Sequence, residues 1–197
     1  MQQSAAVVLY ESKYGSTKTY ARWLSQTLDC PMMKTGQATL DGLDGVDTLI
    51  VGGGLYATGI AGIPFLQKHV RSMPDKRIVV FAVGASPGNE EALEEIRRRN
   101  LKGDLSRLPL FYCRGAWNEE ILTLKDRMMV GLLKKAVARK NPQEYQPWES
   151  ALMDALGTVC DWTDPRELAP LLRYLEQSGS GVAGFRDPGA AIEERPD

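Results

Sequence analysis

Short apolar runs alternate with amphipathic stretches along most of the chain. Ala6-Val7-Val8-Leu9 opens the pattern. A valine-rich run of that length reads as a strand buried on both faces. Thr17–Leu28 follows as a helix, with Leu24 and Leu28 four apart on one side. Pro31–Lys34 reads as a short edge strand, and Thr48-Leu49-Ile50-Val51-Gly52 as a third strand ending in glycines. Ile63–Met73 has helical spacing. Arg77-Ile78-Val79-Val80-Phe81-Ala82-Val83 is the strongest strand signal in the chain. Glu90–Leu101 carries acids early and arginines late, the order that a helix dipole favours. Leu108–Cys113 is a fifth strand, and Glu119–Arg139 and Pro165–Glu176 are the last two helices. This alternation predicts an α/β chain with a parallel sheet covered by helices on both faces. Ligands in such sheets sit beyond the carboxyl ends of the strands, where the chain order reverses. Ser178–Asp197 breaks the pattern with glycine, proline and acidic residues, so residues 1–177 read as one domain and 178–197 as a flexible tail.

The segment after the first strand is Ser12-Lys13-Tyr14-Gly15-Ser16-Thr17-Lys18-Thr19. A hydroxyl-rich loop around one glycine thus joins a strand to a helix N-terminus. Free backbone N–H groups and the positive end of the helix dipole converge there, and hydroxyls add donors, which suits a phosphate. No lysine has Walker spacing, and the three glycines of a dinucleotide fingerprint are missing. The loop fits one terminal phosphate held by hydroxyls and amides, with Ser12, Tyr14, Gly15, Ser16, Thr17 and Thr19 as candidates. Taken alone, it also reads as an ordinary capped helix start.

Three more strand ends are rich in loop-forming residues. The third strand runs into Gly53, Gly54, Leu55, Tyr56, Ala57 and Thr58, the fourth into Gly84, Ala85, Ser86, Pro87 and Gly88, and the fifth into Gly115, Ala116 and Trp117. Glycines let a backbone approach a flat ring closely, and Tyr56 and Trp117 would supply aromatic walls. Each loop in isolation reads as a tight turn; all four at the same sheet edge read as a ligand site.

Composition narrows the choice. The chain has 197 residues, 43% of them hydrophobic, enough for one sizeable core. A net charge of −1 gives no field that would favour nucleic acid. The three cysteines, Cys30, Cys113 and Cys160, are far apart, and His69 is the only histidine, so neither a disulfide framework nor a metal site is expected. No apolar run is long enough to span a membrane and no basic-plus-apolar leader opens the sequence, which fits a cytoplasmic protein. His69 beside Lys68 and Arg71 reads as a solvated helix residue, Cys113 as a small buried one, and Arg97-Arg98-Arg99 as a solvated helix face. Glu119–Arg139 has two readings. Its apolar residues, Ile121 to Val137, would pack into a core, or with Lys125, Arg127, Lys134, Lys135, Arg139 and Lys140 they would make a docking surface for an anionic membrane or a quinone.

Ser12, Tyr14, Gly15 and Thr17 resemble the phosphate loop of flavodoxins, Ser/Thr-x-Thr/Tyr-Gly-x-Thr. From residue 5 to about 177 the chain is similar to the flavodoxin-domain family that includes the flavodoxin-type protoporphyrinogen dehydrogenases. The narrower likeness rests on Asp126-Arg127-Met128-Met129-Val130-Gly131-Leu132-Leu133-Lys134-Lys135, on Asp161-Trp162, and on Gly115-Ala116. The resemblance implies a flavodoxin-like three-layer sandwich, a five-stranded sheet of order 2-1-3-4-5, a long insertion over 119–160, and FMN as cofactor. It implies electron transfer through that flavin to a redox partner protein, or enzymatic turnover of a quinone or tetrapyrrole substrate, by an NAD(P)H:quinone reductase-like or protoporphyrinogen dehydrogenase-like reaction. Membrane contact through 119–140, at the inner face of the membrane, goes with the second. Gly84–Asn89 lacks the ring-stacking tyrosine of ordinary flavodoxins. A phospho-acceptor signalling domain shares this topology but needs acids at the first and third strand ends. Glu11 is present, yet Gly52-Gly53-Gly54 offers none.

Overall fold

The computed structural model describes residues 5–56 and 59–177. The expected tail, Ser178–Asp197, and Ala57 and Thr58 lie outside the described residues. The strands are β1 (Ala6–Glu11), β2 (Met32–Lys34), β3 (Thr48–Tyr56), β4 (Gly59–Ile60), β5 (Arg77–Gly84), β6 (Leu110–Arg114), β7 (Ala116–Asn118) and β8 (Val159–Asp161). The helices are α1 (Ser16–Thr27), α2 (Ile63–His69), α3 (Glu90–Asn100), α4 (Leu124–Val137), α5 (Pro147–Ala155) and α6 (Ala169–Gln177). Five parallel strands form the main sheet in the order β2-β1-β3-β5-β6. Renumbered along the chain, that is the 2-1-3-4-5 order of the flavodoxin-like α/β fold.

Side-chain alternation sorts the core into two layers. Val7, Leu9, Leu49, Val51, Ile78 and Val80 point to one face and pack with Ile63 and Leu66 of α2 and with Leu93 and Ile96 of α3. Val8, Tyr10, Ile50, Val79, Phe81 and Cys113 point to the other, against α1 and α6. Thr17, Tyr20, Ala21 and Leu24 of α1 are buried at i, i+3, i+4 and i+7, the stripe of an amphipathic helix. α3 starts at Asn89, whose side chain accepts a bond from Ala92 N at 2.7 Å. Its three arginines pair along the helix with Glu94 and Glu95, so the arginine run is a solvated face.

Four expectations change. β3 does not stop at Gly52. It continues through Tyr56, because Gly53 and Gly54 pair with Ala82 and Val83 by backbone bonds that need no side chain. The tip then folds back as β4, antiparallel to β3, and Asn100 holds it down by accepting from Ile60 N at 2.8 Å. The expected helix Glu119–Arg139 begins only at Leu124. Ala116–Asn118 is taken up by the β7–β8 ribbon, and Thr123 caps the helix by accepting from Asp126 N at 3.3 Å. α5 was not anticipated. Pro147 occupies its first turn, and buried Glu149 reaches back to Gln146 N at 2.9 Å and to Lys140 Nζ at 2.5 Å.

α4 departs from one of its two sequence readings. It is not a core helix: Leu124, Met128 and Leu132 are 80%, 70% and 67% exposed, and only Val137 is buried.

Candidate functional site

The four candidate segments meet at the carboxyl edge of the sheet. Ala116 N donates to Ser16 Oγ at 3.0 Å, and Gly115 N donates to Gly84 O at 2.8 Å. Lys13 N donates to the Tyr56 hydroxyl at 2.9 Å. These bonds join the hydroxyl loop, the end of β3, the end of β5 and the start of β7 around one space.

The loop owes its shape to Gly15. This residue precedes α1 with φ +105°, a conformation unfavourable to any side chain, and a Cβ there would have nothing within 4 Å. The first intrahelical bond is Thr19 N to Gly15 O at 3.0 Å. The N–H groups of Ser16, Thr17 and Lys18 therefore have no helical acceptor, as at any helix start. Ser12 Oγ accepts from Gly15 N at 3.1 Å, and Ser16 Oγ accepts from Ala116 N. A hydroxyl that accepts from the chain keeps its hydrogen to donate. The loop thus presents two O–H donors and three backbone N–H donors around an open glycine. Thr17 is buried and Thr19 half-buried.

Tyr14 behaves differently. Its hydroxyl donates to Asp126 and accepts from Thr123 N at 3.3 Å. Lys13 Nζ forms an ion pair with Asp126 and also donates to Thr123 Oγ1 at 3.3 Å. The Asp126 carboxyl is held below its usual range by the Lys13 ammonium, with the Tyr14 hydroxyl adding to the effect. The same pair raises Lys13. Tyr56, expected as an aromatic wall, lies edge-on to Tyr14 with ring centres 6.0 Å apart, and burial pushes its hydroxyl pKa up.

The loop after β5 is fixed from beneath. Tyr112 donates from its hydroxyl to Ser86 O at 2.5 Å, and burial raises the phenol. A Cβ at Gly84 would stand 2.7 Å from the Tyr112 oxygen, and one at Gly88 2.6 Å from its ring, so the backbone there lies directly on the tyrosine. Arg114 Nε donates to Ala85 O at 3.2 Å, and its guanidinium stacks 4.0 Å from the Trp162 ring centre. Beside this stack is a cleft of about 320 Å³ lined by Pro87, Arg114, Pro147, Ser150, Asp154 and Trp162. Trp117 sits in β7 opposite Cys160, and its buried Nε1 has no acceptor among the described residues. Tyr20 bridges α1 to the end of β6, donating to Arg114 O at 2.5 Å and accepting from Asp164 N at 3.1 Å. Cys113 is fully buried, and burial raises its thiol well above the ordinary range. His69 packs against Phe65, with ring centres 4.9 Å apart.

A flavodoxin-domain family model matches residues 7–144, which include the hydroxyl loop and all five parallel strands. The chain belongs to the flavodoxin-domain family. No curated relative matches it. Among solved structures, it is similar to a flavodoxin, WrbA-like protein from Agrobacterium tumefaciens, at 20% identity over 63% of this chain and 88% of that one, with a TM-score of 0.38. It is also similar to the Trp repressor binding protein of Bacillus subtilis, at 17% identity over 57% and 85%, with a TM-score of 0.42. For Megasphaera elsdenii flavodoxin the values are 11% identity, 54% and 82% coverage, and a TM-score of 0.41.

Lys13, Asp126, Thr123, Tyr112 and Asn100 belong to the site's framework, and sequence reasoning assigned none of them a role there. Asp126 had one usable signal, Thr123-x-x-Asp126, an N-cap spacing. Its partner 113 positions away had none.

Proposed function

We propose that this chain is a flavin-binding redox protein that holds FMN at the carboxyl edge of its sheet. The observation that carries the reading is the donor set of the loop. Ser12 and Ser16 have their oxygens occupied as acceptors, so their O–H groups are left to donate, beside the N–H groups of Ser16, Thr17 and Lys18 that have no helical acceptor. A convergence of donors at a helix start favours an anion, and a Cβ at Gly15 would meet nothing within 4 Å, so the backbone there is open to a phosphate. FMN, when bound, supplies one- and two-electron transfer. Ser12, Gly15, Ser16, Thr17 and Thr19 would hold its phosphate. Gly53 to Tyr56, Gly84 to Gly88 and Gly115 to Trp117 would border its ring, with Tyr112 keeping the middle segment rigid and Trp117 Nε1 offering a donor. FMN is favoured over FAD because one compact loop serves one phosphate. Titration of purified protein should show one FMN bound per chain with a shifted visible spectrum, and weaker binding of FAD. No spectral change and no binding heat with FMN would remove the proposal.

A second reading concerns the partner. Leu124, Met128 and Leu132 form an i, i+4, i+8 stripe, and Lys125, Lys134, Lys135 and Arg139 are exposed around it. Apolar residues framed by cations suit an anionic bilayer surface, and no helix among the described residues is long and apolar enough to cross a membrane. A lipid-dissolved quinone would then be the electron acceptor, and a tetrapyrrole of the protoporphyrinogen class the donor. Sedimentation with anionic but not zwitterionic vesicles supports this surface. Anaerobic mixing of FMN-loaded protein with protoporphyrinogen and menaquinone analogues tests the substrates. Flavin reduction no faster than background leaves the electron-carrier reading, and fast reduction by NADPH alone points to a quinone-reductase-like reaction.

A further inference from the structure

α4 is a largely exposed helix with few ties to the sheet body. Among the described residues, Thr123 and Asp126 bond Lys13 and Tyr14 of the hydroxyl loop, and Arg127 donates to Glu119 O and Glu120 O of the segment before the helix. At its other end, Val137 is buried and Lys140 pairs with Glu149 of α5. The N-terminal attachment is thus a small cluster in which Thr123 bonds both Lys13 and Tyr14 and the Asp126 carboxylate, bound by the same two residues of the loop, supplies the negative charge.

We infer that Asp126 is an intramolecular anion that competes with a bound phosphate monoester for Lys13 and Tyr14, so that loading the loop weakens the attachment of α4. This rests on the reading of residues 12–19 as a phosphate site. The chemistry is a conflict of like charge. Lys13 follows Ser12 directly, and Tyr14 precedes Gly15, so both side chains rise from the rim of the donor set described above. A dianion seated on the Ser16–Lys18 amides attracts the Lys13 ammonium and repels the Asp126 carboxylate. The ion pair is also partly open to water, with Lys13 and Asp126 side chains 38% and 24% exposed, so neither charge is locked in place by burial. Coupling of this kind is reciprocal. If phosphate weakens the Asp126 attachment by some factor, that attachment weakens phosphate binding by the same factor, so removing the Asp126 charge should tighten phosphate binding.

The reciprocity separates this device from a simple structural pin. If Asp126 only held Lys13 in place for the phosphate, its loss would weaken FMN binding. Competition predicts the opposite. The full-length chain and its Asp126→Asn variant are titrated with FMN and with riboflavin, which lacks the phosphate, and far-ultraviolet dichroism checks that the variant is folded. The variant should bind FMN about tenfold more tightly, a change of about 1.4 kcal/mol, with riboflavin affinity unchanged. In parallel, hydrogen exchange of residues 119–137 is followed with and without inorganic phosphate. Phosphate should speed exchange in the parent protein, and in Asp126→Asn exchange should already be fast and indifferent to phosphate. FMN affinity that is unchanged or weakened in the variant overturns the inference, as does α4 exchange in the parent that ignores phosphate. If neither protein binds FMN, the cofactor assignment fails, and the exchange arm with inorganic phosphate still decides the competition.

Discussion

Replacing Gly15 with alanine adds one methyl group to open space. A Cβ at this position meets nothing within 4 Å, so the substitution makes no clash. Its whole effect comes from the backbone, which sits at φ +105°. An L-residue forced into the left-handed region costs about 1–2 kcal/mol. For a domain of this size each kcal/mol lowers Tm by roughly 2–4 °C, so Gly15→Ala should melt about 2–8 °C below the parent. If the loop instead relaxes to a negative φ, the melting point is spared and the donor set is lost, so FMN affinity falls by a factor of about 5–30 for the same free energy. Gly131→Ala is the matched control. Its Cβ also meets nothing, but the residue lies inside α4, outside the positive-φ set. Alanine there should stabilise the helix by about 0.8–1.0 kcal/mol. The same chemical change into equally empty space thus has opposite signs at the two positions. Calorimetry and an FMN titration on both variants measure this. A Gly15→Ala protein with unchanged Tm and unchanged FMN affinity would refute the argument that backbone conformation at residue 15 builds the loop.

Tyr112→Phe removes the bond to Ser86 O while keeping the ring under Gly84 and Gly88. It should cost about 1 kcal/mol and speed amide exchange in residues 84–88, and exchange equal to the parent's would mean that ring packing alone fixes the loop. Asp126 is depressed by Lys13 and Tyr14, so its contribution to anchoring α4 is complete above the ordinary carboxylate value of 3.8 and is lost as pH falls through the lower folded value. An NMR titration should give Asp126 a midpoint below 3.8 in the parent, and in Lys13→Met a higher one; a midpoint at or above 3.8 in the parent contradicts the ion pair. Burial holds the Cys113 thiol protonated, and burial with the Asp29 charge pushes Cys30 up to about 11. Thiol reagents at pH 8 should label Cys160 first and reach Cys113 only after denaturation, and rapid native labelling of Cys113 would show that the α1–α6 layer opens readily.

The parallel core was legible because its strands are uninterrupted apolar runs. Val7–Leu9 and Ile78–Val83 are buried on both faces, so every position carries the signal. The hydroxyl loop was legible because its chemistry is local: one glycine, its flanking hydroxyls and the helix start are contiguous. The β3 extension was hidden because Gly53 and Gly54 usually mark turns, whereas here two neighbouring strands complete their backbone bonds. β7 and β8 have three residues each, too few for a periodic pattern. The face of α4 was ambiguous for another reason. An apolar stripe with basic flanks has the same spacing whether it meets a core or faces solvent, and only the exposure of Leu124, Met128 and Leu132 in the folded chain tells the two apart. Asp126 was read for its likeness to a family segment, and its partners lie across the fold, where no spacing rule reaches.

With FMN bound at the carboxyl edge of the sheet, its phosphate should sit at the start of α1. Backbone amide NMR on the labelled full-length chain tests it most directly, by adding FMN, riboflavin and inorganic phosphate separately. The largest shifts with FMN and with phosphate should fall on Gly15, Ser16, Thr17 and Lys18, and riboflavin should leave those four nearly unmoved while shifting residues 84–88 and 115–117. FMN-induced shifts that spare residues 15–18 and centre on the Arg114–Trp162 cleft would place the phosphate elsewhere and contradict the account.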